Sequence, residues 1–123
     1  MKNAVTWFEI PVSNLDKAIH FYETVFSMKM EPFTIKEFKL AMFPATEVSG
    51  ALLEETDYKG SDRSVIIYLN IPDSIEAVLE RAEQQGGTII TPRTVISEDV
   101  GWSATFRDLD NNVIGLYESA PKD

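Results

Sequence analysis

Pro11-Val-Ser-Asn-Leu-Asp-Lys-Ala-Ile19 and Asn70-Ile-Pro-Asp-Ser-Ile-Glu-Ala-Val78 are two versions of one pattern. Aligned at an offset of 59 residues, Val12 falls on Ile71, Asn14 on Asp73, Ala18 on Ala77 and Ile19 on Val78. Each stretch follows an apolar extended run, Val5–Val12 in the first case and Val65–Ile71 in the second. A second echo comes later in each half: Ser49-Gly-Ala-Leu-Leu-Glu54 is similar to Val113-Ile-Gly-Leu-Tyr-Glu118, at an offset of 64 residues. Two echoes in the same order mark a duplicated unit of about 60 residues.

Each unit opens on a strand. Trp7, Glu9 and Pro11 alternate with Phe8, Ile10 and Val12, the period of two that a sheet requires. A helix follows. Asn14 can accept a hydrogen bond from an early helical N–H, Asp16 sits in the positive first turn, and Leu15, Ala18, Ile19, Tyr22 and Phe26 form an apolar stripe. In the second unit Asp73 takes the capping place and Ile75, Val78, Leu79 and Ala82 make the stripe, with Gly86-Gly87 ending the helix. The period then returns to two. It predicts strands over Met28–Phe33, Lys39–Phe43 and Gly50–Glu54, and again over Thr88–Ile90, Ala104–Arg107 and Val113–Tyr117. Asp110-Asn111-Asn112 suits a hairpin turn, since Asn and Asp tolerate positive φ. The order is βαβββ twice, an α+β fold. One domain spans residues 1–123, with module one over 1–56, a polar linker over 57–62 and module two over 63–123.

Composition narrows the function. Eleven basic residues against twenty acidic ones give a net charge of −9, which repels phosphate backbones and anionic membranes. Nucleic acid and membrane partners are therefore not expected. No apolar run approaches the roughly 20 residues that span a bilayer, and no signal peptide opens the chain, so a cytoplasmic location is expected. There is no cysteine, and hence no disulfide or thiolate chemistry. There is no glycine-rich phosphate loop and no G-x-S-x-G motif, so no nucleophile has an adjacent base. The one histidine, His20, lies off the apolar stripe and is read as solvent-facing.

The stretches Ile10-Pro-Val-Ser-Asn-Leu-Asp-Lys-Ala-Ile-His-Phe-Tyr22, Gly86-Gly87 and Phe106-Arg-Asp-Leu-Asp-Asn-Asn-Val-Ile-Gly-Leu116 resemble the vicinal oxygen chelate (VOC) superfamily. That group includes glyoxalase I, bleomycin-resistance proteins and extradiol dioxygenases. The last stretch is similar to its D-P-D/E-G-N-x-I-E-L closing hairpin. The resemblance implies two βαβββ modules forming a half-open barrel around a cleft, and a homodimer in many members. It also implies, in metal-dependent members, one ligand on each of four strands. Transferred by position, those ligands fall on Trp7, Ala51, Ile66 and Gly115. None of these side chains offers a lone pair to a divalent ion. No metal and no cofactor are therefore expected.

Period-two arithmetic names the residues that share a face with the vacated positions. Trp7, Glu9, Tyr68, Asn70 and Tyr117 are the candidate ligand-binding residues, joined by Trp102, which the segment Ser97-Glu-Asp-Val-Gly-Trp102 presents as part of a flap. Glu9, between Phe8 and Ile10, is the candidate catalytic residue: desolvated, it would be a general base or would orient a ligand. The plainer reading is a carboxylate that is paired or that reaches solvent. Trp7 and Trp102 could stack on a flat ligand or simply pack. Arg93 and Arg107 could receive an acidic group, or pair with the abundant carboxylates.

Three functions are consistent with these residues. The first is metal-independent binding of a small organic molecule in the cleft between modules. The second is a metal-free enzyme of the same superfamily that uses Glu9 or a tyrosine. The third is a lyase or dioxygenase of the lactoylglutathione lyase type, with its metal ligands elsewhere than the four positions above. Open strand edges, together with the resemblance, lead to the expectation of a homodimer.

Overall fold

The computed structural model describes residues 7–60 and 66–121. Val5, Val65 and the linker residues 61 and 62 lie outside the described residues. The elements run β1 (Trp7–Val12), α1 (Leu15–Phe26), β2 (Glu31–Ile35), β3 (Phe38–Met42), β4 (Ser49–Glu54), β5 (Ile67–Asn70), α2 (Ile75–Gln84), β6 (Thr88–Ser97), β7 (Gly101–Arg107) and β8 (Val113–Ser119). They form two four-stranded sheets of the same order, β1-β4-β3-β2 and β5-β8-β7-β6. In each, the first strand pairs parallel with the fourth, and the remaining pairs are antiparallel.

The two echoes meet in the pairing. Ile10 lies opposite Leu52 and Leu69 opposite Leu116, all four facing the helices. The strands therefore superpose at the offset of 59 residues seen in the sequence, with Ile10 on Leu69 and Val12 on Ile71. The helices do not. Leu15 and Ile75 are the first residues of α1 and α2, so the second junction is one residue longer. The cap moves with it. Asn14 Oδ1 accepts from Lys17 N at 3.1 Å as expected, but in module two Ser74 Oγ accepts from Ala77 N at 3.1 Å, and Asp73 is not the cap. Asp73 instead receives both terminal nitrogens of Arg81, at 2.9 and 3.0 Å. That guanidinium holds its carboxyl below the ordinary range.

Each fourth strand ends on a carboxylate that serves the helix of its own module. Glu54 Oε2 accepts from Leu15 N at 2.9 Å, and Glu118 Oε1 from Ile75 N at 3.3 Å. These N–H groups have no partner inside their helices, and a negative charge is favoured at a helix N-terminus. The repeated Glu of the second echo is thus structural.

The modules join through the helices. α1 and α2 pack on each other, Phe21 and Phe26 of α1 meet Phe106 of β7, and Arg81 Nε of α2 donates to Val25 O of α1 at 2.8 Å. One continuous core results, containing Ile10, Val12 and Leu52 from one sheet and Ile114, Leu116 and Phe106 from the other. Beside it the closing hairpin of module two docks on the end of β1. Ser13 N donates to Asp110 Oδ1 at 2.8 Å and Asn112 Nδ2 to Pro11 O at 2.7 Å. Asn111 takes a φ of 65°, the left-handed turn residue that the sequence suggested. Among the described residues, no helix is long and apolar enough to cross a membrane.

Candidate functional site

Alternation leaves each sheet with a face turned away from the helices. On the first sheet that face carries Trp7 and Glu9 opposite Ser49 and Ala51. On the second it carries Tyr68 and Asn70 opposite Gly115 and Tyr117. The sidedness expected for Trp7, Glu9, Ala51, Tyr68, Asn70, Gly115 and Tyr117 is therefore present, but it divides between two sheets whose modules meet through helices.

Glu9 is exposed and accepts from Trp7 Nε1 at 3.3 Å. Phe8 and Ile10, its sequence neighbours, face the core, so they do not enclose it as the sequence suggested. Tyr117 Oη donates to Val100 O at 2.7 Å and so ties β8 to the β6–β7 turn. Tyr68 lies across Gly115, where an added Cβ would come within 2.5 Å of the ring, which explains the glycine there. Ala51 is fully buried.

Trp102 differs from its expectation. It belongs to β7, not to a flap, and pairs opposite Glu118 on the same side as Ala104 and Phe106. Its ring packs on the core under the Arg93 guanidinium, 4.0 Å from the ring centroid. β6 runs to Ser97, well beyond the three residues expected, and shifts register against β7 three times. Those bulges carry Arg93 to Trp102 and Glu118, with Nη2 donating to Glu118 Oε2 at 2.8 Å. The carboxyl of Glu118 is held below its usual range by this pairing. Arg93 is accordingly a structural cation. Arg107 donates to Asn111 O at 3.0 Å.

A cavity of about 600 Å³ opens between the β3–β4 loop and β5. The loop supplies Phe43, Pro44, Ala45 and Val48. Phe8, Phe26 and Met28 come from module one's core edge. The third wall is the unbroken run Ile66–Pro72. This volume lies inside the range of small-molecule sites. Of the expected ligand-binding residues, Tyr68 and Asn70 border it, whereas Trp7, Glu9, Trp102 and Tyr117 do not. Of the four vacated metal positions only Ile66 does. Sequence reasoning missed Phe43, Val48 and Met28; the signal was an apolar loop, Pro44-Ala45 with Val48, where polar residues are the norm.

A second site without precedent in the sequence reading is the hydrogen-bond cluster of the closing hairpin. Asp108 is buried and receives four donors. Asp110 N and Asn112 N reach Oδ1 at 2.8 and 2.9 Å, and Tyr22 Oη and Asn112 Nδ2 reach Oδ2 at 2.7 and 2.8 Å. Burial raises its pKa, against the lowering pull of those donors. Tyr22 is raised well above the ordinary phenol value by burial and by Asp108. Tyr58 of the linker donates to Asn112 Oδ1 and thereby docks the linker on the same cluster. Its phenol is raised chiefly by desolvation. All members of this cluster are engaged with one another, which identifies it as the joint between modules.

The fold and these motifs define a class. Residues 4–116 match the family described as the Glyoxalase/Bleomycin resistance protein/Dioxygenase superfamily, and the chain belongs to it. No curated protein matches the sequence. Among solved structures, a glyoxylase/bleomycin resistance protein/dioxygenase domain from Frankia sp. EAN1pec superposes with a TM-score of 0.72 at 18% identity, covering 95% of this chain and 98% of that one. The fosfomycin resistance protein FosX from Listeria monocytogenes superposes with a TM-score of 0.70 at 20% identity, covering 99% and 96%. A glyoxalase-related enzyme from Fulvimarina pelagi gives 0.67 at 15% identity, covering 92% and 86%. At these identities the likeness is one of fold.

At the four positions to which the resemblance transfers the metal ligands of metal-dependent members, the side chains do not suit a metal ion. The indole nitrogen of Trp7 carries its hydrogen and offers no lone pair. Ala51 and Ile66 have no donor atom, and Gly115 has no room for one beneath Tyr68. Among the described residues no three His, Cys, Asp or Glu side chains gather as a metal site.

Proposed function

We propose that the chain binds a small organic molecule in the cavity between its modules, without a metal ion. The observation that carries this reading is the lining. It is predominantly apolar, it is large enough for a ligand of drug size, and it draws on both modules. The donor-poor set at Trp7, Ala51, Ile66 and Gly115 supports metal independence. Binding is favoured over catalysis by what the lining lacks. Among the described residues no carboxylate, histidine, lysine or arginine borders the cavity. The hydroxyl of Ser49 is already donated to Phe43 O at 3.0 Å. Glu9, the one candidate base, stands on an open sheet face outside it.

The test is a thermal-shift screen of small organic compounds against the chain and against Ala45→Trp, which fills the cavity from its exposed loop. A ligand at 100 times its Kd adds about 2.7 kcal/mol of stability, a shift of several degrees. Compounds that stabilise the parent chain should lose their effect on the variant. Equal stabilisation of both would place the ligand elsewhere and defeat the proposal.

A further inference from the structure

We infer that the ligand of this cavity is an uncharged aromatic molecule bearing a secondary amide, laid along the open edge of β5. This assignment rests on the binding reading above and narrows it to a chemical class.

Charge comes first. The chain carries −9, yet among the described residues no carboxylate, histidine, lysine or arginine stands in the cavity wall. An anion entering would leave water, meet no cation and feel the negative field of the whole chain. A cation would find the field favourable but no carboxylate in the wall to replace its hydration. A neutral ligand escapes both costs. The phosphonate class that fosfomycin represents is thus a poor fit to this chain.

The aromatic body follows from the walls. Phe8 and Phe43 form a tilted pair with centroids 5.4 Å apart, and both border the cavity. Met28 adds a polarisable side chain that adapts to a flat ring. Ring stacking and edge contacts reward an aromatic ligand beyond the area it buries.

The amide follows from β5. This strand is the outermost of its sheet, and among the described residues it pairs only with β8, in parallel. Residues from both of its faces, Ile67 and Leu69 as well as Tyr68 and Asn70, border the cavity, so the cavity runs along its free edge. A strand edge presents unpaired N–H and C=O groups in alternation. A secondary amide carries one donor and one acceptor in the same geometry, and added extended segments are recognised in this way. Asn70, whose side-chain amide has no partner among the described residues, supplies a second donor and acceptor at the end of the strand.

Three matched probes test the assignment by titration calorimetry: N-methyl-2-naphthamide, N,N-dimethyl-2-naphthamide, which has no N–H to give, and 2-naphthoate, which is charged. The secondary amide should bind about tenfold or more tightly than the carboxylate, and roughly threefold or more tightly than the dimethylamide. Asn70→Leu, on an exposed side chain, should narrow the gap between the two amides while leaving the dimethylamide little changed. Naphthoate binding as tightly as the secondary amide would overturn the class and leave the cavity reading standing. Two amides of equal affinity would overturn the role of the β5 edge. If none of the three binds at millimolar concentration, or if Ala45→Trp binds them all unchanged, the cavity reading itself falls.

Discussion

Replacing Tyr22 by phenylalanine removes one oxygen from the joint between the modules and nothing else. The ring is 1% exposed and packs against Phe21, Phe26 and Phe43, contacts that phenylalanine keeps. The lost hydroxyl donates to Asp108 Oδ2 at 2.7 Å. The site is buried, so the carboxylate is left with three protein donors in place of four. A hydrogen bond to a charged group is worth about 1.5–3 kcal/mol, and the variant should lose about 2 kcal/mol of stability at neutral pH. For a chain of this length that is a fall in Tm of roughly 6–12 °C. The loss should depend on pH. The carboxyl of Asp108 titrates higher in the folded chain than its ordinary value of 3.8, because burial disfavours the charged form. A raised acid stabilises the fold below its unfolded pKa and loses that contribution as pH rises through the folded one. Without the phenol the folded value rises further. The gap between parent and variant should therefore be small near pH 4 and widest at pH 7. Urea unfolding followed by tryptophan fluorescence at the two pH values measures it. A loss below about 0.5 kcal/mol at pH 7, or one that is equal at both pH values, would refute the role given to this bond.

Three other outcomes are expected. Glu54→Gln and Glu118→Gln should each cost about 0.5–1.5 kcal/mol in the same unfolding assay by weakening the hold on the first turn of a helix, and the Glu118 variant should lose more because Arg93 is released as well. The lowered carboxyl of Glu118 stabilises the fold above its unfolded value of 4.5, so the Glu118→Gln penalty should fade as the pH drops through the folded value; a penalty constant down to pH 3 would count against it. Purified protein should hold no stoichiometric zinc, nickel, iron or manganese, and chelator should leave its Tm unchanged; a retained transition metal by elemental analysis would defeat the metal-free reading. Light scattering at micromolar concentration should return a dimer, since β1, β2, β5 and β6 are the outermost strands of the two sheets among the described residues; a monomer would defeat the expectation of a homodimer.

What the chain spells locally is what could be read without a structure. Alternation set the inward side of β1, β4, β5 and β8, because a strand's period of two leaves no other choice once Ile10 and Leu52 are apolar partners. The helical stripe Ile75, Val78, Leu79, Ala82 is buried as its spacing requires, and the hairpin at Asn111 follows from the φ that asparagine tolerates. The repeat made the fold legible, since two similar half-chains must build similar sheets. The tertiary structure decided the rest. One extra residue before α2 moved the cap from Asp73 to Ser74, and no periodicity counts a single inserted residue. Bulges in β6 put Arg93 over Trp102, because register shifts are set by the partner strand and leave little trace in sequence. Asp108, Asn112, Tyr22 and Tyr58 come from three distant segments, and only the docking of the modules brings them within hydrogen-bond reach. The cavity has the same origin. Its loop and its strand are separated in the sequence by β4 and the linker, and they face each other because α1 and α2, packed on each other, bring the two modules together.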